Sequence, residues 1–330
     1  MPVITVEHLQ KRFNLEAGFF ARFGRFVYAV NDISFHIGEN ETYGLVGESG
    51  CGKTTTARLL VRMYESDGGR IIYRDNTEVG SLGRKELKQY REKVKYVFQD
   101  PARSLNPRMS IYEVLVSGCR GSSRWKRENG GRGIDAAVHS ARSGREKNLR
   151  EAAAAILEEV GLGRDDLERR PSEFSGGQRQ RISIARGLLM QPDLLICDEV
   201  VSALDVSIQG QILNLLLDLR DKRDLSFLFI THDLKVACYF CDRIGVMYRG
   251  ELMEEAPAAE LYKRGLHPYT KLLFSLENAP VKNSKPLITA GGCPFAERCP
   301  IAEERCFREH PDLVDAGKNH KVRCFKTQAR

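Results

Sequence analysis

The sequence predicts an α/β domain with a largely parallel sheet, followed by a smaller C-terminal extension. Short, nearly continuous apolar runs recur over roughly the first 250 residues, as expected of strands that are buried on both faces. Stretches with helical spacing lie between these runs, and this alternation is typical of parallel sheets. After residue 256 prolines become frequent and four cysteines cluster, so we place an α/β domain at 1–256 and an extension at 257–330.

The strand candidates are short apolar runs. In chain order they are Val3–Val6, Ile33–Ile37, Thr42–Val46, Lys95–Phe98, Leu194–Cys197, Phe227–Ile230 and Ile244–Met247. Two helices are supported by spacing and composition. Apolar residues between Ile208 and Leu219 share one helical face, and Glu151–Val160 is rich in alanine and other helix formers.

The charge of the chain is concentrated in one segment. The net charge is +7, and residues 119–150 contain nine Lys or Arg against three Asp or Glu. This segment has turn formers and charge but little apolar periodicity, so we predict a flexible basic insertion. A contact with anionic lipid or RNA is the alternative to a solvated loop.

No run of about 18 apolar residues is present, so no transmembrane helix is expected. The N-terminus lacks the basic-then-apolar layout of a secretory signal. We therefore expect a reducing compartment, where the nine cysteines would be free thiols or metal ligands. An ordinary composition, with 42% hydrophobic and 29% charged residues, excludes a disordered chain or a disulfide scaffold.

A phosphate-binding motif lies between a strand and a helix. Gly47–Thr54, here called the phosphate loop, matches G-x-x-x-x-G-K-[ST] and precedes a predicted helix at Thr55–Met63. Lys53 would reach the β- and γ-phosphates, and the Thr54 hydroxyl would bind Mg²⁺. Backbone N–H groups would surround the phosphates. The candidate nucleotide contacts here are Gly47, Glu48, Ser49, Gly50, Cys51, Gly52, Lys53, Thr54 and Thr55.

An acidic pair supplies the second half of such a site. The apolar run from Leu194 ends at Asp198 and Glu199. Asp198 at the strand tip would hold Mg²⁺ through water, and Glu199 would accept the proton of the attacking water. Without the phosphate loop, this pair could simply end the strand and cap a helix.

The remaining motifs resemble those of ATP-binding-cassette (ABC) ATPases. Phe174–Arg181 resembles the family's signature motif, Ser202–Asp205 its D-loop, and Thr231–Asp233 its switch-histidine segment, while Gln99 matches the Q-loop. The resemblance covers about residues 3–256 outside the insertion. It implies a P-loop ABC nucleotide-binding domain, with a RecA-like core and antiparallel β and α-helical subdomains.

The resemblance also implies roles for single residues. His232 would bond the γ-phosphate, where a structural histidine is the alternative. Gln99 would contact the magnesium–water system and report to a membrane partner. One further group would act on ATP held by a second ABC ATPase subunit: Ser175, Gly176, Gly177, Gln178 and Asp205.

Two aromatic residues compete for the adenine platform. Phe13 matches the family's register if Leu15–Tyr28 is an insertion, and Tyr28 is the alternative. The chain departs from the family at Asn40, a usual glycine, and at Val200, a usual proline. Neither change removes a catalytic atom, so both should affect backbone rigidity only.

Three segments resemble the oligopeptide/dipeptide importer ATPases, namely Gln99–Met109, Val201–Gln209 and Gly265–Leu273. The resemblance implies an ATP-hydrolysing, peripheral subunit at the cytoplasmic face of the cell membrane that drives peptide uptake. Its partners would be a second ATPase subunit, expected to be a paralogue, two permease subunits and an extracytoplasmic peptide-binding protein, with no nucleic acid.

Other functions stay open at this point. Nickel or opines are alternative solutes. A soluble ABC ATPase of DNA repair or translation would carry long coiled coils or two cassettes, and neither is evident. A non-hydrolysing cassette usually lacks Glu199 or His232, and both are present.

Four cysteines in the extension are candidate metal ligands, namely Cys293, Cys299, Cys306 and Cys324. Their spacing lacks the CxxC pairs of most zinc ribbons, and four thiolates suit either zinc or a [4Fe–4S] cluster. The subfamily resemblance favours the cluster, with zinc or uncommitted thiols as the alternatives. Cys238 and Cys241 are expected to serve in packing.

Overall fold

The computed structural model describes residues 1–14, 26–119, 138–275 and 291–328. These residues form two compact units, each described by itself. The first unit comprises Met1–Ser81 and Phe227–Arg330, and the second comprises Leu82–Ser226.

The strands are β1 (Pro2–Asn14), β2 (Phe26–Gly38), β3 (Thr42–Val46), β4 (Gly68–Tyr73), β5 (Thr77–Glu78), β6 (Val94–Val97), β7 (Leu194–Asp198), β8 (Ser226–Thr231), β9 (Arg243–Tyr248), β10 (Glu251–Pro257), β11 (Val314–Asp315) and β12 (Lys321–Val322). The helices are α1 (Lys53–Leu60), α2 (Arg84–Lys93), α3 (Pro101–Ser104), α4 (Ile111–Val116), α5 (Val138–Glu159), α6 (Gly176–Leu188), α7 (Val206–Arg223), α8 (Leu234–Phe240), α9 (Ala258–Lys263), α10 (Pro268–Ser275), α11 (Glu304–Arg308) and α12 (Phe325–Gln328). Among the described helices, none combines the length and the apolar character that crossing a bilayer requires.

An antiparallel sheet of the first unit has the strand order β2-β1-β4-β5. Strand β1 continues past the predicted end at Val6 because a bulge follows, where His8 has a left-handed φ of 50°. The bulge returns Leu9 to the core, which breaks the alternation that sequence patterns detect. Phe26–Tyr28, the last residues of the segment Leu15–Tyr28, pair with β1 in strand β2. Residues 15–25 lie outside the described residues.

The second sheet of the first unit contains the strands in the order β11-β12-β10-β9-β3-β8. Strand β3 is buried along its whole length and pairs in parallel with β8 and β9, as the apolar runs predicted. Strand β10 pairs antiparallel with β9 and was not predicted. Its three glutamates, Glu251, Glu254 and Glu255, are all buried, so the strand does not look apolar in sequence.

In the second unit, β6 and β7 form a parallel pair. The long helix α5 begins at Val138, so residues 138–150 are helical where a flexible insertion was expected. The sequence of the first half of α5 is largely polar, and Ala153, Ile156 and Leu157 towards its end are buried. Residues 120–137 of the predicted insertion lie outside the part of the chain that the structure describes.

Candidate functional site

The phosphate loop turns sharply between β3 and α1. Gly52 has φ +113°, and a Cβ at this position would lie 2.0 Å from the Ala29 carbonyl oxygen. A Cβ at Gly47 would lie 2.1 Å from the Met247 carbonyl oxygen. Both glycines are therefore required by close backbone approach as well as by the turn.

Lys53 lies at the centre of this loop, with its side chain buried. Its Nζ donates to the carbonyl oxygens of Gly47 at 2.7 Å and Glu48 at 3.0 Å. Cys51 is also buried, and this burial raises the pKa of its thiol. Thr54 and Thr55 follow in the first turn of α1, where the positive end of the helix dipole favours an anion.

His232 and the phosphate loop leave the sheet at the same edge. Val46 and Thr231 are register partners on the parallel strands β3 and β8, so the residues that follow them emerge side by side. His232, Glu48 and Ser49 line one cavity of about 330 Å³. The structure thus brings the predicted histidine to the predicted phosphate loop.

In the second unit, Glu199 and Gln99 are in contact. The Gln99 Nε2 donates to the Glu199 Oε2 at 2.6 Å. Asp198, buried at the end of β7, accepts a hydrogen bond from the Tyr96 hydroxyl at 2.5 Å. Tyr96 was missed by sequence reasoning, although the hydroxyl of a tyrosine in a sheet strand usually finds a hydrogen-bond partner. Glu199 itself has a left-handed φ of 50°, a strained conformation that is common at functional sites.

The signature segment forms the N-terminus of α6. Ser175 is the N-cap, and its Oγ accepts the Gln178 N–H at 3.3 Å, while the Gln178 Oε1 accepts the Ser175 N–H at 2.9 Å. Gly176 and Gly177 occupy the first turn, and Ser175 and Gln178 are exposed. Asp205 occupies the N-cap position of α7. The positive end of α6 is therefore accessible to an anion.

The two candidate adenine platforms differ in their surroundings. The Phe13 ring packs edge-on against Tyr64, with centroids 5.4 Å apart. Tyr28 is 47% exposed and precedes Ala29, whose carbonyl lies against Gly52 of the phosphate loop. The adenine platform stays a prediction.

The two departures from the family pattern have simple structural settings. Asn40 has φ 52°, a left-handed conformation that asparagine adopts more readily than most residues. Val200 is buried.

The four cysteines of the extension line one pocket, called here the cysteine pocket, together with Phe295 and His267. Burial raises the pKa of Cys293 to about 11, and the charges of the other three cysteines add to this effect. Within the described ranges, however, no group of three or more His, Cys, Asp or Glu side chains is placed to hold a metal ion. The expected ligand set is gathered but is not in a metal-binding arrangement.

Two residues of the extension hold Glu48 of the phosphate loop. The Tyr269 hydroxyl accepts the Glu48 N–H at 2.9 Å, and both nitrogens of the Arg298 guanidinium end donate to the Glu48 carboxylate at 2.8 Å. Sequence reasoning missed both residues. Gly265–Leu273 was used only as a mark of the subfamily, and a single arginine among cysteines carries no local signal.

The ABC transporter family profile matches residues 30–202, and the profile "Oligopeptide/dipeptide transporter, C-terminal region" matches residues 253–306. The first match spans more than half of the chain. The chain belongs to the ABC transporter family. It is therefore an ABC ATPase, and the motifs described above are those of its nucleotide-binding domain.

Curated relatives agree with this assignment. The chain is 43% identical to the oligopeptide transport ATP-binding protein OppF of Bacillus subtilis, over 83% of this chain and 81% of that protein. It is 38% identical to the probable peptide ABC transporter ATP-binding protein y4tS of Sinorhizobium fredii, over 98% of this chain and 89% of that protein.

A solved ABC structure has the same fold. The ATP-binding cassette MJ0796, described as a dimer bound to ADP and phosphate, aligns with a TM-score of 0.60 at 25% identity. The alignment covers 77% of this chain and 98% of that cassette.

Proposed function

We propose that this ABC ATPase drives the import of di- and oligopeptides from the cytoplasmic face of the membrane. The observation that carries the peptide assignment is the match of residues 253–306 to the C-terminal region of oligopeptide/dipeptide transporters. The partners are two permease subunits, an extracytoplasmic peptide-binding protein and a second ATPase subunit. We take that subunit to be a paralogue, and no nucleic acid is required.

The first unit supplies phosphate binding. Lys53 exchanges its bonds to the Gly47 and Glu48 carbonyls for phosphate oxygens, which are stronger, charged partners. The N–H groups that begin α1 orient the phosphates, and His232 donates to the γ-phosphate from the shared cavity. Phe13, or alternatively Tyr28, stacks on adenine.

The second unit supplies proton transfer. Gln99 donates to the Glu199 carboxylate and holds it in position, so that the other oxygen can accept the proton of an attacking water. When bound, Mg²⁺ neutralises phosphate charge. The sequence motifs assign Thr54, Gln99 and Asp198 as the residues that would hold it.

The signature segment acts in trans. Ser175 and Gln178 are exposed at the positive end of α6, which fits an anion presented by another chain. Gly176, Gly177 and Asp205 complete this surface. Support comes from the MJ0796 cassette, which is dimeric in its post-hydrolysis state.

The cysteine pocket is proposed to hold a [4Fe–4S] cluster in the C-terminal extension. The donor set fits, since four thiols line one pocket in a segment with few buried apolar residues. The resemblance to the importer subfamily favours the cluster, and zinc is the second choice. The group would supply structural cross-links between Cys293, Cys299, Cys306 and Cys324, with no part in hydrolysis.

The hydrolytic role is tested with Glu199→Gln. Turnover should fall by roughly 10²–10⁴, the effect of removing a general base, while ATP binding persists. Glu151→Gln, in the same unit but in an exposed ion pair with Arg164, is the matched control and should be unaffected. Turnover within twofold of wild type would remove Glu199 from this role.

The peptide assignment is tested in cells. Affinity purification of the tagged chain from membranes should recover a permease pair, and disruption of the gene should abolish uptake of labelled di- or oligopeptides. Loss of nickel or opine uptake with normal peptide uptake would replace the proposed solute.

A further inference from the structure

Glu48 is the point at which the extension meets the phosphate loop. Its N–H donates to the Tyr269 hydroxyl, its carboxylate is held by both terminal nitrogens of Arg298, and its carbonyl accepts from Lys53. Two-point pairing of arginine with a carboxylate fixes orientation as well as distance. Both the main chain and the side chain of Glu48 are therefore held by residues outside the loop.

The same two residues pack against the cysteine pocket. Tyr269 is fully buried and its ring lies 5.3 Å from that of Phe295, which lines the pocket. Arg298 directly precedes Cys299, and its guanidinium lies 5.7 Å from the Phe295 ring. A packed path thus runs from the pocket to Glu48, entirely within the first unit.

We propose that Tyr269 and Arg298 are positioning residues for the phosphate loop, and that through them the cysteine pocket and nucleotide affinity are coupled. The inference rests on the proposed ATP and metal binding. Cys299, if it held a metal group, would keep Phe295–Cys299 and with them Arg298 ordered, so the loop would lose less freedom when it binds phosphate. The coupling is reciprocal, because linkage between two binding sites always is.

The charges of Glu48 and Arg298 predict which substitutions lower the affinity for nucleotide and which restore it. The side chains of Glu48 and Arg298 are only 22% and 19% exposed, so water screens the carboxylate poorly when the arginine is removed. An unneutralised carboxylate in a phosphate-binding loop repels the nucleotide. Removing that carboxylate should therefore recover affinity in an Arg298 variant.

The test is calorimetric titration of the full chain, purified anaerobically, with a magnesium complex of a non-hydrolysable ATP analogue. Arg298→Ala should weaken binding about five- to tenfold and Tyr269→Phe about threefold, at the low end of allosteric couplings. Arg298→Lys, which keeps the charge, should lie between wild type and Arg298→Ala. Adding Glu48→Gln to Arg298→Ala should restore part of the lost affinity. Arg308→Ala and Tyr262→Phe, both exposed, are the matched controls.

A second measurement separates positioning from simple destabilisation. Removing the metal group with a chelator should weaken nucleotide binding in wild type but make no difference in Arg298→Ala. In wild type, nucleotide should slow hydrogen exchange in residues 291–308, and Arg298→Ala should lose this response. If Arg298→Ala does not fold, the chelator and hydrogen-exchange measurements are made on Arg298→Lys and compared with wild type.

The outcomes are distinguishable. Wild-type affinity in both Arg298→Ala and Tyr269→Phe overturns the inference and leaves the proposed function intact. Absence of nucleotide binding by wild type overturns both. Coupling that appears with bound zinc instead of iron supports the inference and changes only the metal.

Discussion

The phosphate loop and the cysteine pocket are both proposed binding sites of the first unit, but they are built in opposite ways. The phosphate loop consists of consecutive residues, follows a fully buried strand and is closed by its own hydrogen bonds to Lys53. The four cysteines of the cysteine pocket are spread from Cys293 to Cys324, in or between very short helices and two-residue strands. The loop is therefore formed mainly by residues that are neighbours in sequence, whereas the pocket gathers cysteines that are far apart in sequence.

Cys306→Ser should have the largest effect, because it removes one of the four proposed ligands. We expect bound iron to fall from about four atoms per chain to near zero, with loss of visible absorbance. Residues 291–328 should become sensitive to protease, while the phosphate loop still binds ATP with at most a tenfold loss. Cys238→Ser is the control outside the pocket, and an unchanged iron content in Cys306→Ser would contradict the proposed site.

Lys53→Ala tests the phosphate loop. Loss of charged bonds to phosphate should weaken ATP binding on the order of a hundredfold. Because the cysteine pocket is assembled separately, its iron content should not change. Lys263→Ala, an exposed lysine at the end of α9, serves as control. Unchanged ATP affinity, measured by calorimetry, would exclude Lys53 from phosphate binding.

His267 lines the cysteine pocket and should make stability depend on pH. Burial lowers its pKa to about 4 from an ordinary value of 6.5, and its Nδ1 accepts the Tyr269 N–H at 3.0 Å. As the pH falls below 6.5, the unfolded chain takes up a proton that the folded protein excludes. The free energy of unfolding should therefore decrease by roughly 1–3 kcal/mol between pH 6.5 and 4, then level off.

Urea unfolding at a series of pH values measures this decrease. In His267→Asn the amide oxygen can accept the same N–H without titrating, so the pH dependence over this range should flatten. Equal slopes in the two proteins would show that another group is responsible.

Gly50→Asn should have the smallest effect. Gly50 has φ +82°, but a Cβ there would have no neighbour within 4 Å. Asparagine tolerates left-handed backbone better than other residues, so the loss should be about 0.5–1 kcal/mol of unfolding free energy. Gly50→Val should cost more, since branching at Cβ opposes this conformation. A loss for Gly50→Asn as large as that for Gly50→Val would mean that space, rather than φ, requires the glycine.

Patterns in the sequence predicted the elements that carry nucleotide chemistry. Strands β3, β7 and β8 appeared as apolar runs, because strands buried on both faces need few polar residues. Strand β10 could not be predicted, since its buried glutamates find their partners only in the folded chain. Glu254, for example, accepts the main-chain N–H groups of Leu266 and His267.

By itself, the sequence determined the phosphate loop, the acidic end of β7 and the family, because each depends on neighbouring residues whose backbone geometry is local. Only the tertiary structure decided that Tyr96 bonds Asp198, that Gln99 bonds Glu199, and that four dispersed cysteines share one pocket. It also placed Tyr269 and Arg298 on Glu48. The physical reason is that a buried charge or polar group must be paired, while its partner can come from any part of the chain that packing brings near.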